Sequence, residues 1–473
     1  MHDAELALSP TLIVELRADA VSIFLAGIHA ANPFQAVAGC LLAGPHHLEI
    51  SLNPEQPDLK RIGRWSSIIT LAFGKAACAM ADAVQSIIPE HFRADPGIVV
   101  TNYENVRAVP NFDVYGAGHP FPDHAGEEAA HHIQQRLSAT RPGTLVLVLV
   151  SGGGSALLPS PIPPITLAEK VATTDLLLAS GASIEQINCI RKHLSVLKGG
   201  GLSKLAAPAD VHSLILSDVL SNDVSAIASG PTVPDPSTFA EALAILHTKR
   251  IWDKLPETVQ QHLLAGYQGR ITETPKPNDS LFKHTSYTLI GSNRQSLNAI
   301  KQAAKMLHYQ TIRYHYPLLG EARLKATKLV NYIAQLIQTG INQPTAIVSG
   351  GETTVTLNGN GKGGRNQEFA LAFALAAEQQ LPPCWVLLSG GTDGRDGPTD
   401  AAGGLVDPSS MDRLRQLGRD PQLLLDNNDA YHALKPINHL LITGATGTNV
   451  ADLLIVLLHP SLIQTTFLGE PHV

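Results

Sequence analysis

Short runs rich in Val, Ile and Leu recur along the chain, most of them closed by a glycine or polar cluster and followed by a helical pattern. The clearest are Ile68–Phe73, Gly97–Thr101, Leu145–Val150, Leu214–Ser217, Tyr287–Ile290, Ala346–Ser349, Trp385–Ser389 and Leu440–Thr443. Continuous apolar runs suit strands buried on both faces, as in a parallel sheet covered by helices. Their alternation with helical stretches predicts an α/β fold, and the many β-branched runs closed by glycine speak against an all-helical one.

At 473 residues the chain exceeds one ordinary core, so two domains are expected. Between about Ser237 and Ser286 the pattern loosens into a polar helical stretch and then Thr272–Asp279, whose two prolines in a polar run read as a linker or surface loop. The predicted domains are therefore residues 1–275 and 276–473. Apolar residues make up 44% and charged residues 16%, ample for well-filled cores. A net charge of −7 leaves no basic excess for a nucleic-acid backbone or an anionic membrane surface. Cys40, Cys78, Cys189 and Cys384 lie far apart, which predicts reduced thiols in a cytoplasmic protein rather than disulfides or structural zinc. Met1–Pro10 does not resemble a signal peptide, and the most apolar run is far shorter than the roughly 20 residues of a membrane span.

In open α/β sheets, ligands bind beyond the carboxyl ends of the strands, so the residues just after each strand matter most. Gly74-Lys75-Ala76-Ala77 comes after the first apolar run and opens a helix, placing a cation where an anion would also meet a helix N-terminus. The plain alternative is a surface lysine beside a tight turn. Ser151-Gly152-Gly153-Gly154-Ser155 comes after Val150; consecutive glycines let backbone N–H groups converge on phosphate or carboxylate. This loop has neither the Walker spacing nor that of a nucleophile elbow. Ile187–Lys198 reads as a helix with an apolar face and a polar stripe of Asn188, Arg191, Ser195 and Lys198, ordinarily a solvated face. Asp218 and Asp223 stand after another strand and suit Mg²⁺ or the capping of a turn. Arg365 stands in the first turn of an Ala/Leu-rich helix, where a cation opposes the dipole and a bound anion would explain it. Asp393 belongs to Ser389–Asp400, which packs three aspartates after a strand without the EF-hand spacing. Thr443–Asn449 is a further glycine and hydroxyl loop of the anion-binding kind. His119 and His193 are acid/base candidates, though structural roles are commoner in a chain with 20 histidines. Several such loops, cations and acids in one chain suit phosphoryl transfer, which asks for positioning and charge neutralisation.

The ordered segments FGKAACAM, GHPFPDHAG, VSGGGSALLPSP, IRKHLSVLKGG, LSDV, ASGPTVPDP, IGSN, SGGETTVTL, GKGGRNQE, SGGTDGRDGPTDAAGG and TGATGTNVADL, from about Leu71 to Leu453, resemble the glycerate 2-kinase family, often labelled hydroxypyruvate reductase. Leu16–Pro33 also looks like that family's opening helix. The resemblance implies a larger Rossmann-like parallel-sheet domain, a smaller C-terminal α/β domain of MOFRL type, and an active site in the cleft. It implies a cytoplasmic enzyme, monomeric or homodimeric, that uses ATP and Mg²⁺ to convert D-glycerate to 2-phosphoglycerate. Its functional lysine and arginine fall on Lys75 and Arg365. Ser151–Ser155, Arg191, Lys198 and Asn293 would hold substrate or phosphate, and Asp218, Asp223 and Asp393 the metal. The chain departs from the family at Ser221-Asn222-Asp223, where Gly-Asp-Asp is usual, at Gly201 in place of an arginine, and at Asn102, where Thr-Lys-Tyr is frequent. Two alternatives stand beside the kinase. One is an NAD(P)H-dependent hydroxypyruvate reductase, against which the missing Gly-x-Gly-x-x-Gly fingerprint speaks. The other is a non-catalytic paralogue that binds glycerate or nucleotide.

Overall fold

In the computed structural model, which describes residues 10–56 and 58–460, the apolar runs lie side by side as their continuous hydrophobicity predicts. Most of the Met1–Pro10 segment lies outside the described residues. One unit spans Pro33–Gly291. Its strands are β1 (Ser67–Phe73), β2 (Gly97–Asn102), β3 (Phe112–Ala117), β4 (Thr144–Val150), β5 (Asp210–Leu216) and β6 (Thr285–Gly291). They form one sheet in the order β3-β2-β1-β4-β5-β6 with every neighbouring pair parallel. The central strand β4 is buried along its whole length. Ala129, Ala130 and Ile133 of the helix His124–Ser138 pack on one face, against Leu71, Phe73, Val146 and Val148. A small antiparallel sheet of Leu41–Ala43, Leu48–Ser51 and Lys60–Gly63 is held to β5 and β6 by Arg61, which donates to the Val211 carbonyl and the Ser286 hydroxyl.

The other unit comprises residues up to Asn32 and from Ser292 onward. Its strands are β7 (Gln310–Arg313), β8 (Leu318–Glu321), β9 (Thr345–Thr354), β10 (Trp385–Gly391), β11 (Gly403–Val406), β12 (Leu440–Leu441) and β13 (Asp452–Leu458). The order is β7-β9-β13-β10-β11-β12, with β8 also beside β9. The sheet is mixed, because β13 runs antiparallel to both β9 and β10.

The division differs from the expected break between 275 and 276 in two ways, each with a physical reason. First, the polar segment Thr272–Asp279 is not a linker. Glu273 accepts from the Phe239 amide and pairs with His193, Thr274 donates to Asp235, and the Asp235 amide donates to the Pro275 carbonyl. These bonds hold the segment within the parallel-sheet unit, and β6 comes after it as the sixth strand of that sheet. Second, the helix Pro10–His29 belongs with the later half of the chain. Its Leu16, Ile23 and Phe24 share a core with Leu297, Ile300, Trp385 and Leu453, and Arg17 pairs with Asp407.

Candidate active site

The order of the parallel sheet reverses direction between β1 and β4, the switch point where ligands of such sheets bind. The loops leaving these two strands are stitched together. The Ser151 amide donates to the Phe73 carbonyl at 3.0 Å and the Lys75 amide to the Gly152 carbonyl at 2.9 Å. The Ser151 hydroxyl accepts from the Ala76 amide at 3.1 Å, just ahead of the helix Ala77–Ile87. Gly153 has φ +89°, the left-handed conformation that turns the chain into the short helix Gly154–Leu157. A Cβ on Gly152 would lie 2.4 Å from Asp218 Oδ2, so the loop after β5 crowds this backbone too. Among the described residues the Lys75 ammonium has no hydrogen bond or salt bridge. His119 lies alongside: its Nε2 is 3.1 Å from where a Gly153 Cβ would stand. Burial, helped by the charge of Lys75, lowers the His119 pKa and favours the neutral ring at pH 7.

The helix carrying Asn188 and Arg191 is Ile184–His193, opened by a capping box between Ser183 and Gln186. It ends before Ser195 and Lys198, so the expected polar stripe continues into the next turn rather than along one helix. Nor is that stripe a solvated face: Asn188, Ser195 and Lys198 are buried. Lys198 Nζ donates to the Ser155 and Leu158 carbonyls at 3.1 and 3.3 Å, which ties it to the glycine loop. Burial and the nearby Arg191 push its pKa down to about 7. The Ser155 and Ser229 hydroxyls are 2.9 Å apart, and Ser229 donates to Asn188 Oδ1. Asp223 is exposed and accepts from the Ser225 amide and hydroxyl, capping a turn. His193 is structural, bonded to the Cys189 carbonyl and to Glu273.

In the other unit Arg365 opens the helix Arg365–Gln380 at the wall of a cavity of about 840 Å³, lined also by Glu352, Asp393, Arg395 and Asp396. The anion expected beside this arginine is supplied by the protein. Asp452 receives Nε and Nη2 at 2.6 and 3.0 Å, and Glu352 lies 2.9 Å from Nη1. Although burial works against it, the Asp452 hydrogen bonds raise the Arg365 pKa, and the charge is permanent. Asp393 accepts from the Arg395 amide. The amide nitrogen of Asn293 donates to the Val450 and Asp452 carbonyls, a tie between backbone segments. In the Thr443–Asn449 loop, Thr446 and Thr448 donate their hydroxyls to the Thr392 and Ala31 carbonyls. Among the described residues no three His, Cys, Asp or Glu side chains gather as a metal cage. Mg²⁺ does not require one, since one or two carboxylates plus phosphate oxygens hold it.

Asp396 was not singled out by the sequence pattern, yet it caps the Arg365 helix by accepting from the Asn366 and Gln367 amides. Burial raises its pKa to about 6, against about 3.9 for an unfolded aspartate. The folded form therefore holds the proton across that window. Its contribution to stability is full below about pH 4 and is lost as the pH rises through 6. Urea midpoints of wild type and Asp396→Asn should show the wild type's relative stability falling between about pH 4.5 and 7. A constant difference would remove Asp396 as the titrating group.

The domain of unknown function DUF4147 matches residues 19–264, and the MOFRL family matches residues 345–452. The glycerate 2-kinase of Pyrococcus horikoshii is 38% identical over 437 residues, covering 91% of this chain and 94% of that protein. The D-glycerate 2-kinase of Thermotoga maritima is 41% identical over 395 residues, covering 83% and 90%. A crystal structure of a Thermotoga maritima glycerate kinase superposes with a TM-score of 0.81 at 38% identity, covering 94% of this chain and 100% of that one. The chain belongs to the glycerate 2-kinase family, with a DUF4147 domain followed by a MOFRL domain.

Proposed function

We propose that the protein transfers the γ-phosphoryl group of ATP to the 2-hydroxyl of D-glycerate, giving 2-phosphoglycerate and ADP. The observation that carries this reading is Lys75: an ammonium without a hydrogen bond or salt bridge among the described residues, in the turn after β1 and beside the glycine-rich Ser151–Ser155 loop at the switch point of the sheet. A cation fixed there stabilises the charge that spreads over the transferring group, and the backbone of Ser151–Ser155 supplies further donors. His119, favoured in its neutral form, accepts the proton of the attacking hydroxyl. In the other unit Arg365 is a permanent cation on the wall of a cavity, suited by itself to anionic phosphate oxygens. Asp218 and Asp393 each offer a carboxylate to Mg²⁺, which neutralises phosphate charge when bound. Asp223, with both oxygens engaged by Ser225, is the weaker of the expected ligands.

The strand order by itself would also suit a dinucleotide-binding reductase, since fold does not fix function. Against that reading, the turn after β1 is Gly74-Lys75-Ala76-Ala77, without the glycine fingerprint that lets a backbone approach a pyrophosphate. The deciding experiment incubates the protein with D-glycerate, ATP and Mg²⁺ and identifies the phosphorylated isomer by NMR. 2-Phosphoglycerate is expected. NADH consumption with hydroxypyruvate would favour the reductase, and ligand binding without turnover the non-catalytic reading.

The close approach of Gly152 to Asp218 yields a further prediction. Gly152→Val places carbon within 2.4 Å of Asp218 Oδ2, so the Asp218 carboxylate must turn away or one of the two loops must shift. A shift of about 1 Å in a catalytic loop costs on the order of 10²-fold, so kcat/KM should fall by about that factor. A variant of unchanged activity would detach this loop from the reaction.

A further inference from the structure

The helix Leu167–Ala179 buries Lys170 on the same stripe as Thr173 and Leu177. Lys170 is 6% exposed, and its Nζ has no hydrogen-bond partner among the described residues. Other buried lysines nearby are satisfied. Lys192 pairs with Asp235 at 3.2 Å, and Lys198 donates to two carbonyls. An ammonium buried without a partner is costly, and a chain that pairs the neighbouring lysines has left this one open. Two more donors in this region are equally open: Asn188 Nδ2 and Ser195 Oγ, on residues 4% and 8% exposed. Arg191, on the same helix as Asn188, likewise makes no hydrogen bond or salt bridge among the described residues. All four are donors. Lys198, through the Ser155 carbonyl, and Ser155, through Ser229, join this region to the glycine loop.

We propose that Lys170, Asn188, Arg191 and Ser195 form a buried receptor for one compact oxyanion, and that its ligand is the carboxylate of the hydroxy acid. The assignment to the carboxylate rests on the kinase reading of the site, whereas the receptor itself does not. Burial, with the charges of Lys198 and Arg191, holds the Lys170 pKa well below the ordinary lysine range, while Glu127 acts in the opposite direction. A bound carboxylate would supply the missing counter-charge.

The test is calorimetric titration of the full chain with D-glycerate and, separately, with inorganic phosphate, in wild type, Lys170→Met and Lys170→Gln. The wild type should bind D-glycerate, and Lys170→Met should weaken that binding about 10- to 100-fold, the range for a lost charge-assisted hydrogen bond. Lys170→Gln, which keeps a donor without the charge, should fall between them. The ligand-free Lys170→Met protein should unfold at the same urea midpoint as wild type or a higher one, because a buried polar group without a partner has been replaced by an apolar side chain. Phosphate binding lost with D-glycerate binding intact would overturn the carboxylate assignment. Unchanged affinities, or a ligand-free variant that is less stable or fails to fold, would make Lys170 a structural residue and overturn the receptor. Weakened D-glycerate binding in a protein that transfers no phosphoryl group would retain the receptor and reject the kinase. Transfer with unweakened binding in Lys170→Met would do the reverse.

Discussion

Lys75→Ala is expected to lower kcat for phosphorylation of D-glycerate by about 10²–10³-fold, the usual effect of removing one fixed donor from a developing negative charge. The fold should tolerate the change. Lys75 takes part in the loop through its backbone amide, which any residue supplies, and its ammonium holds no other side chain in place. The unfolding free energy from urea titration should therefore stay within about 0.5 kcal/mol of wild type, as for surface substitutions away from special features. KM for D-glycerate should change little if the lysine acts on the transferring group. A raised KM with unchanged kcat would instead make Lys75 a ground-state binding residue.

Arg365→Ala should be at least as damaging to turnover, by about 10³-fold, the lower range for an arginine acting on phosphoryl-transfer charge. It should also reduce stability. The substitution strands Asp452, which is 7% exposed and receives two hydrogen bonds from the guanidinium. Because Arg365 is itself about one-third exposed, water screens part of the pair, and a loss of about 1–3 kcal/mol is expected. The double variant Arg365→Ala/Asp452→Asn separates the two effects. It should recover most of the lost stability, since the unpaired charge is gone, and none of the lost turnover. Recovery of both would reduce Arg365 to a structural partner of Asp452. Arg365→Lys keeps the charge but not the planar fork, so it should be stable yet slow.

Each of the eight named apolar runs lies in or overlaps a strand, because a strand buried on both faces leaves a mark that survives without tertiary context. Two of the strands outside those runs are edges of their sheets, whereas Gly403–Val406 and Asp452–Leu458 went unnamed although interior and buried throughout. Phe112–Ala117 and Gln310–Arg313 are only partly buried, and their residues need not be uniformly apolar. Of the two readings of Thr272–Asp279, the surface loop holds and the linker does not, for a related reason. A polar, proline-containing run has the same composition whether water or Asp235, Phe239 and His193 satisfy it. Likewise the resemblance of Leu16–Pro33 to an opening helix announced the element but not the core that takes it, which includes Leu297, Ile300, Trp385 and Leu453.

The site was legible in proportion to how local its signals are. Lys75 declared itself through a strand, a glycine and a helix start in sequence. Arg365 was flagged by its conflict with the helix dipole, but its partner Asp452 is 87 positions away and no local pattern points to it. The polar stripe at Asn188–Lys198 was read as solvated because polarity usually means water. Its burial depends on the helix Leu167–Ala179 and the loop after β4, which sequence spacing does not bring together. Lys170 did carry a signal, standing three and seven positions before Thr173 and Leu177 on the buried stripe of its helix.

The most direct measurement tracks γ-phosphoryl label from ATP to D-glycerate in the presence of Mg²⁺, for wild type and Lys75→Ala at matched concentration. Label should appear on the 2-hydroxyl of glycerate with the wild type and fall by about 10²–10³-fold with the variant. Equal transfer by both proteins, or none by the wild type when D-glycerate and ATP are shown to bind, would contradict the assignment of this site to phosphoryl transfer.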